Sequence, residues 1–151
     1  MTQLAWIFGH SSNFSQALIS EFRDNDISTY GWGRDTLDYT DFNKFIEGKV
    51  VPDIVVLNAN IEEQIAFRID TDNYKTLEIS DMSDMLTTYS PIFLFFVKLI
   101  KWLEEQDKQI NICNISSSIT AWPNRHRQNV MYAVLRSMLQ QVVFSASNSV
   151  T

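Results

Sequence analysis

The chain is sparing with several residue types. Its 151 residues include one cysteine, three prolines, four glycines and two histidines. A lone cysteine, Cys113, excludes an internal disulfide, and its place in the apolar run from Ile110 to Ile115 suits a reducing compartment. So few prolines and glycines disfavour an all-β chain, whose many tight turns draw on both. His10 and His126 are far apart and lack Cys or carboxylate partners at ligand spacing, so no metal site is expected. His10, directly after the first apolar run, is expected to face solvent. Basic residues are outnumbered, 12 Lys and Arg against 18 Asp and Glu, for a net charge of −6. That balance disfavours nucleic acid or an anionic membrane as partner, because both need a basic face. The most apolar stretch, Ile92 to Ile100, is interrupted by Lys98, followed by Lys101, and falls short of the roughly 20 residues of a membrane span. The opening MTQLAWIFGHSS has no basic n-region and too short an apolar run for a signal peptide. A cytoplasmic protein is the expectation.

What is present is a large apolar fraction, 45% hydrophobic with ten Phe and four Trp, which excludes disorder. It is arranged in alternating patterns. Leu4 to Gly9 is a short apolar run that suits a buried strand. Ser11, Ser12, Asn13 and Ser15 offer helix caps, and Phe14, Ala17, Leu18, Ile19 and Phe22 follow at helical spacing. Ile27 to Trp32 is a second strand ending at a Gly33-Arg34-Asp35 turn, and Leu37 to Tyr39 a short third. Phe42, Phe45 and Ile46 share one face of a helix. Asp53 to Asn58 is the clearest buried strand. A long helix over Ser83 to Gln106 has a C-terminal half that is apolar nearly all round. A strand at Ile110 to Ile115 and a helix at Val130 to Val143 complete the pattern, and residues 144–151 form a polar tail.

Strands alternating with helices predict an α/β fold, a Rossmann-like, doubly wound parallel sheet in a single domain over residues 1–151. In such sheets ligands bind beyond the carboxyl ends of the strands. Four polar turns are expected there: Gly9-His10-Ser11-Ser12, Gly33-Arg34-Asp35, Asn58-Ala59-Asn60 and Ser116-Ser117-Ser118.

The identities at these turns resemble the short-chain dehydrogenase/reductase family. FGHSSNFSQALI is similar to the family opening TGxxxGIGxAxA. Gly9 stands at its first glycine, Ser11 and Ser12 at its variable polar positions, and Phe14 at its isoleucine. Asn13 and Ser15 replace the second and third glycines. Gly33-Arg34-Asp35 resembles the GRD that follows strand two, LDYTD the DxTD segment with Asp38 leading it, and DIVVLNAN the DxLVNNAG run. LTTYSPIFLFFVKLI is similar to the long helix NLTxPFLLxKAL, with Thr87 where the family has its catalytic Asn. INICNISSSITAW and Tyr132 to Arg136 resemble IVNISSxxG and YxxxK.

The resemblance implies a cofactor site built from Gly9, Ser11, Ser12, Asn13, Phe14, Arg34, Asp38, Asn58, Ala59 and Asn60. Arg34, a fork for a 2′-phosphate, points to NADP over NAD. It also implies catalysis by Tyr132 as general acid, with Ser117 holding the substrate carbonyl and Arg136 in the family's lysine position. Ser118 is the alternative to Ser117, being closer to the usual spacing from Tyr132. The family's lysine lowers the tyrosine pKa; Arg136 keeps the charge in a different shape.

The partners so implied are a dinucleotide and a small carbonyl substrate. The resemblance runs from Leu4 to about Val143, so a short version of the fold without the C-terminal strands is expected, with Ile110 to Ile115 at a sheet edge. The helices at Pro91 to Leu103 and Val130 to Val143 occupy the family's dimer-forming positions, which implies a homodimer or higher homo-oligomer. Two functions follow. One is an NADP-dependent oxidoreductase acting on a carbonyl or alcohol. The other is a catalytically degenerate family member that binds nucleotide or oligomerises without turnover.

Overall fold

A computed structural model describes residues 2–33, 36–58, 79–115 and 130–146. Four strands form one sheet: β1 (Leu4–Phe8), β2 (Ser28–Trp32), β3 (Ile54–Leu57) and β4 (Asn111–Asn114), in the spatial order β2-β1-β3-β4. All neighbours pair in parallel. The register sets Trp32, Phe8, Leu57 and Asn114 in one row, so all four strands end at the same edge of the sheet. The chain steps outward from β1 to β2 and then returns past β1 to β3, which makes the carboxyl end of β1 and β3 a topological switch point. The helices are α1 (Asn13–Asp24), α2 (Phe42–Ile46), α3 (Ile79–Glu104) and α4 (Val130–Ser145).

The sheet sorts its side chains by alternation. Trp6, Phe8, Val55 and Leu57 point to one face, where they merge with Phe42 and Phe45 of α2, Phe95, Phe96, Leu99 and Leu103 of α3, and Leu139 of α4. Aromatic pairs dominate this side: Trp6 stacks on Trp102 at 5.8 Å with an interplanar angle of 2°, and Phe45 meets Phe95 edge-on at 5.0 Å. Ala5, Ile7 and Val56, each no more than 1% exposed, alternate to the opposite face. The β1–α1–β2 connection is a parallel crossover, a type that is right-handed in nearly all proteins, which would lay α1 on that side. The expected doubly wound sheet is therefore present, with β4 at its edge among the described residues.

Two expectations change. No strand forms at Leu37 to Tyr39, and the reason is local. The Asp38 carboxylate accepts from the Thr40 backbone N–H at 2.9 Å and hydroxyl at 2.6 Å, and Thr36 closes a turn onto Gly33, so side chains take up the groups a strand ladder would use. Leu37 and Tyr39 still reach the core as half-buried anchors. Cys113 is exposed on β4, the strand with no described neighbour beyond it. The last helix passes Val143 to Ser145, and Ala146 is buried.

The apolar stretch of α3 is also longer than the sequence reading took it. Leu86–Glu104 is long and apolar enough to cross a membrane by length and composition. Tyr89, Ile92, Phe95, Phe96, Leu99, Ile100 and Leu103 are buried in the core on one face of this helix, while Leu86 and Leu94 are exposed. The amino edge of the sheet is tied by Asp53. Its carboxylate accepts from the Leu4 N–H at 2.8 Å and from Lys108 Nζ at 2.9 Å. These bonds, that with Lys108 first, hold the Asp53 pKa below the usual carboxylate range.

Candidate functional site: the carboxyl end of the sheet

Gly9 ends β1 with φ of 84°, the left-handed region that only glycine enters at little cost, and so turns the chain into α1. The turn is bonded to the neighbouring strand, since the Gly9 and His10 N–H groups donate to the Trp32 carbonyl at 2.7 and 3.2 Å. Ser12 caps α1, its hydroxyl accepting from the Ser15 N–H at 3.1 Å. That leaves the Asn13 and Phe14 N–H groups, the first of the helix, without a hydrogen-bond partner among the described residues. Unpaired N–H groups and the positive end of the helix dipole favour an anion here.

Asn58, directly after β3, fixes this turn from below. Its Nδ2 donates to Ser12 Oγ at 2.8 Å and to Ser15 Oγ at 2.9 Å. Ser15 is fully buried and Asn58 6% exposed. Two glycine positions of the resembled motif are thus filled differently: Asn13 is exposed at the first turn, and Ser15 is accommodated because its hydroxyl is hydrogen-bonded.

At the end of β2 the structure corrects the expectation for His10. Its side chain does not stand free in solvent but lies over β2. A Cβ on Gly31 would come within 2.6 Å of His10 Cβ, and one on Gly33 within 3.0 Å of the ring carbon Cε1. His10 Nδ1 is buried and has no hydrogen-bond partner among the described residues. No sequence motif singled out this residue; the pair Gly31 and Gly33, spaced to face one side of β2, was the available signal.

Of the sequence-derived site, Gly9, Ser11, Ser12, Asn13, Phe14 and Asn58 meet at one place. Ser11 and Phe14 are exposed there. Asp38 lies on the loop after β2, fully exposed, with its pKa held low by the Thr40 hydroxyl first and the Thr40 N–H second. Arg34, Ala59, Asn60, Ser117 and Ser118 are outside the described residues. For Tyr132 and Arg136 the structure gives the helical backbone of α4, one turn apart, and nothing of their side chains is described. Asn114, just ahead of that serine run, has its Oδ1 buried without a partner among the described residues. Thr87 lines an open cleft of about 390 Å³ with Tyr39, Thr40, Ser90, Leu94 and Lys98. Its hydroxyl donates back to the Ser83 carbonyl at 2.9 Å.

No family model matches the chain, and no curated protein matches it in sequence. Solved structures do match. One is a small-chain dehydrogenase, superposing with a TM-score of 0.70 at 14% identity over 95% of this chain and 74% of that one. Another, from Burkholderia multivorans and described as a short-chain alcohol dehydrogenase, gives a TM-score of 0.57 at 17% identity over 96% of this chain and 76% of that one. The fold is the one found in short-chain dehydrogenases, in a version with four described strands.

Proposed function

We propose that the chain is a short-chain dehydrogenase/reductase-like protein that binds NADP in the crevice above β1 and β3 and acts as an oxidoreductase on a carbonyl or alcohol substrate. The observation that carries this reading is the α1 turn. Its Asn13 and Phe14 N–H groups are left open at the switch point while Asn58, Ser12 and Ser15 hold it rigid. The residues present fit a phosphate-bearing ligand. The turn offers donors, the cap hydroxyl is already committed, and the orphaned His10 Nδ1 lies beside the same turn. A nicotinamide dinucleotide, when bound, supplies hydride chemistry. Gly9 and Ser11 to Phe14 would hold the phosphates, Arg34 the 2′-phosphate, Asp38 the adenine end, and Asn58, Ala59 and Asn60 the floor. In the resembled signature, Tyr132 would pass its proton to the substrate oxygen while Ser117 orients it and Arg136 supplies positive charge one turn away.

One observation favours the second reading, binding without turnover. Thr87, at the position of the family's catalytic Asn, spends its hydroxyl on its own helix. Parallel titrations with NADPH and NADH, followed by nucleotide fluorescence, test the proposal, with Arg34→Ala as control. Saturable NADPH binding that weakens in Arg34→Ala supports it. Turnover of a carbonyl panel that is lost in Tyr132→Phe then decides for the enzyme over the non-catalytic binder. Failure to bind either nucleotide at millimolar concentration overturns the proposal.

The exposed apolar residues Leu86 and Leu94 of α3 and Val134 and Phe144 of α4 support a homodimer through these helices.

A further inference from the structure

β2 is an outer strand of the sheet, with β1 on one side and no strand beyond it among the described residues. The Ser28 N–H donates to the Gln3 carbonyl at 2.9 Å, and the Trp32 carbonyl accepts from the Gly9 N–H at 2.7 Å. In a ladder, successive residues turn their backbone groups to opposite sides. Ser28, Tyr30 and Trp32 therefore face β1. Thr29 and Gly31 turn their N–H and C=O groups outward, where none finds a partner among the described residues. This open stretch is bounded at both ends. Before it, the Ile27 N–H donates to the Phe22 carbonyl at 2.8 Å; after it, the Gly33 N–H donates to Thr36 Oγ1 at 2.8 Å. The strand reads Ser-Thr-Tyr-Gly-Trp and pairs without interruption, so it lacks the proline, charge or bulge that guards many exposed edges. Tyr30, midway between the two open residues, is 60% exposed.

We infer that β2 is a self-association edge, on which a second copy of this chain lays its own β2 antiparallel, about a two-fold axis between the two Tyr30 residues. The arrangement of the open groups selects this occupant and this register. Each Thr29 faces the copy's Gly31 and exchanges both N–H···O=C bonds with it, so every outward group of the stretch is used. A slip of two residues would set an open residue against Ile27 or Gly33, whose N–H groups are already taken. The two Tyr30 side chains then stand opposite each other on one face of the joined sheet. Theirs is the closer, non-hydrogen-bonded kind of pair, in which aromatic side chains attract. So small a contact holds at roughly 0.1–1 mM chain and not at micromolar concentration. It is independent of the nucleotide reading and of the α3 and α4 faces, since none of its residues lies on those helices.

Disulfide trapping in the full chain tests the register, with Cys113→Ser removing the native thiol. In this pairing the two Tyr30 Cα atoms lie about 4.5 Å apart, within the span of about 4.4–6.8 Å that a disulfide bridges. The two Ser28 Cα atoms lie roughly 13 Å apart. At the upper end of the stated concentration range, in oxidised glutathione, Tyr30→Cys should form a covalent dimer at least about tenfold faster than Ser28→Cys. Adding Thr29→Pro removes an outward N–H and no bond within the sheet, so it should erase the difference and leave the melting midpoint in place. In the unsubstituted chain, the Thr29 and Gly31 amide resonances should shift with concentration more than those of Ser28 and Tyr30, a readout that needs no variant to fold. Equal trapping rates for the two cysteine variants, or Thr29 and Gly31 amides that stay in place up to millimolar chain, overturn the proposal. Association at these concentrations that Leu94→Glu abolishes and Thr29→Pro does not belongs to the helices, and overturns it too.

Discussion

Asn58 Nδ2 lies 2.9 Å from Ser15 Oγ, joining the residue after β3 to a fully buried serine in the first turn of α1. The same nitrogen reaches the helix cap through Ser12 Oγ at 2.8 Å. One side-chain amide therefore sets how α1 meets the sheet at the edge where all four strands end.

Removing that amide should be costly. Asn58→Ala leaves two serine hydroxyls in a buried site without their donor, and a loss of about 1–3 kcal/mol is expected. Ser15→Ala, which keeps the volume and removes one acceptor, should cost less than Asn58→Ala. Urea unfolding of both variants measures the difference, and equal losses would show that the Ser12 bond contributes nothing.

Gly31 and Gly33 should respond differently to His10. The Gly31 conflict is with His10 Cβ and the Gly33 conflict with the ring. Gly33→Ala should therefore be destabilising by about 1–3 kcal/mol and be rescued when combined with His10→Ala. Gly31→Ala should be rescued only by His10→Gly. Rescue of both by His10→Ala in thermal unfolding would contradict the placement of the ring.

Asp53 gives a pH dependence. Its folded-state pKa is lowered by the Lys108 bond and then the Leu4 N–H, so its contribution is present above the unfolded carboxylate pKa. That contribution is lost as pH falls through the lower, folded value. The pair is partly exposed, so about 1 kcal/mol or less is at stake. Asp53→Asn should melt below wild type at pH 6, and the gap should begin to narrow below about pH 4 and shrink further as pH falls through the lower, folded value. A gap that does not narrow at all on acidification would mean that the charge is not responsible.

The dimer has a simple check. Gel filtration at micromolar concentration should return twice the mass of one chain, and Leu94→Glu, placing a charge on the exposed face of α3, should return the single mass. A wild-type monomer sinks the assignment.

The sheet was legible because β1 and β3 bury every residue from Ala5 to Phe8 and from Val55 to Leu57, and such unbroken apolar runs between helical patterns have few alternatives. The turn at Gly9 to Ser12 and the placing of Asn58 beside it were legible because parallel strands put their ends together. Asp38 misled: alternation over Leu37 to Tyr39 mimics a strand, but the Asp38–Thr40 bonds make a turn, a side-chain choice that apolar period does not report. His10 was illegible as a lone residue. Its surroundings come from Gly31 and Gly33, some twenty residues away in sequence and brought beside it by the β1–β2 pairing. The Asp53–Lys108 tie was hidden for the same reason.

The most direct test of the nucleotide crevice is the amide spectrum of isotope-labelled protein titrated with NADPH. Saturable shifts at Gly9, Ser11, Ser12, Asn13, Phe14 and Asn58 are the expected result, placing the ligand where α1 meets β1 and β3. Amides that stay in place at millimolar NADPH, or that move only along the Thr87 to Lys98 cleft, would contradict it.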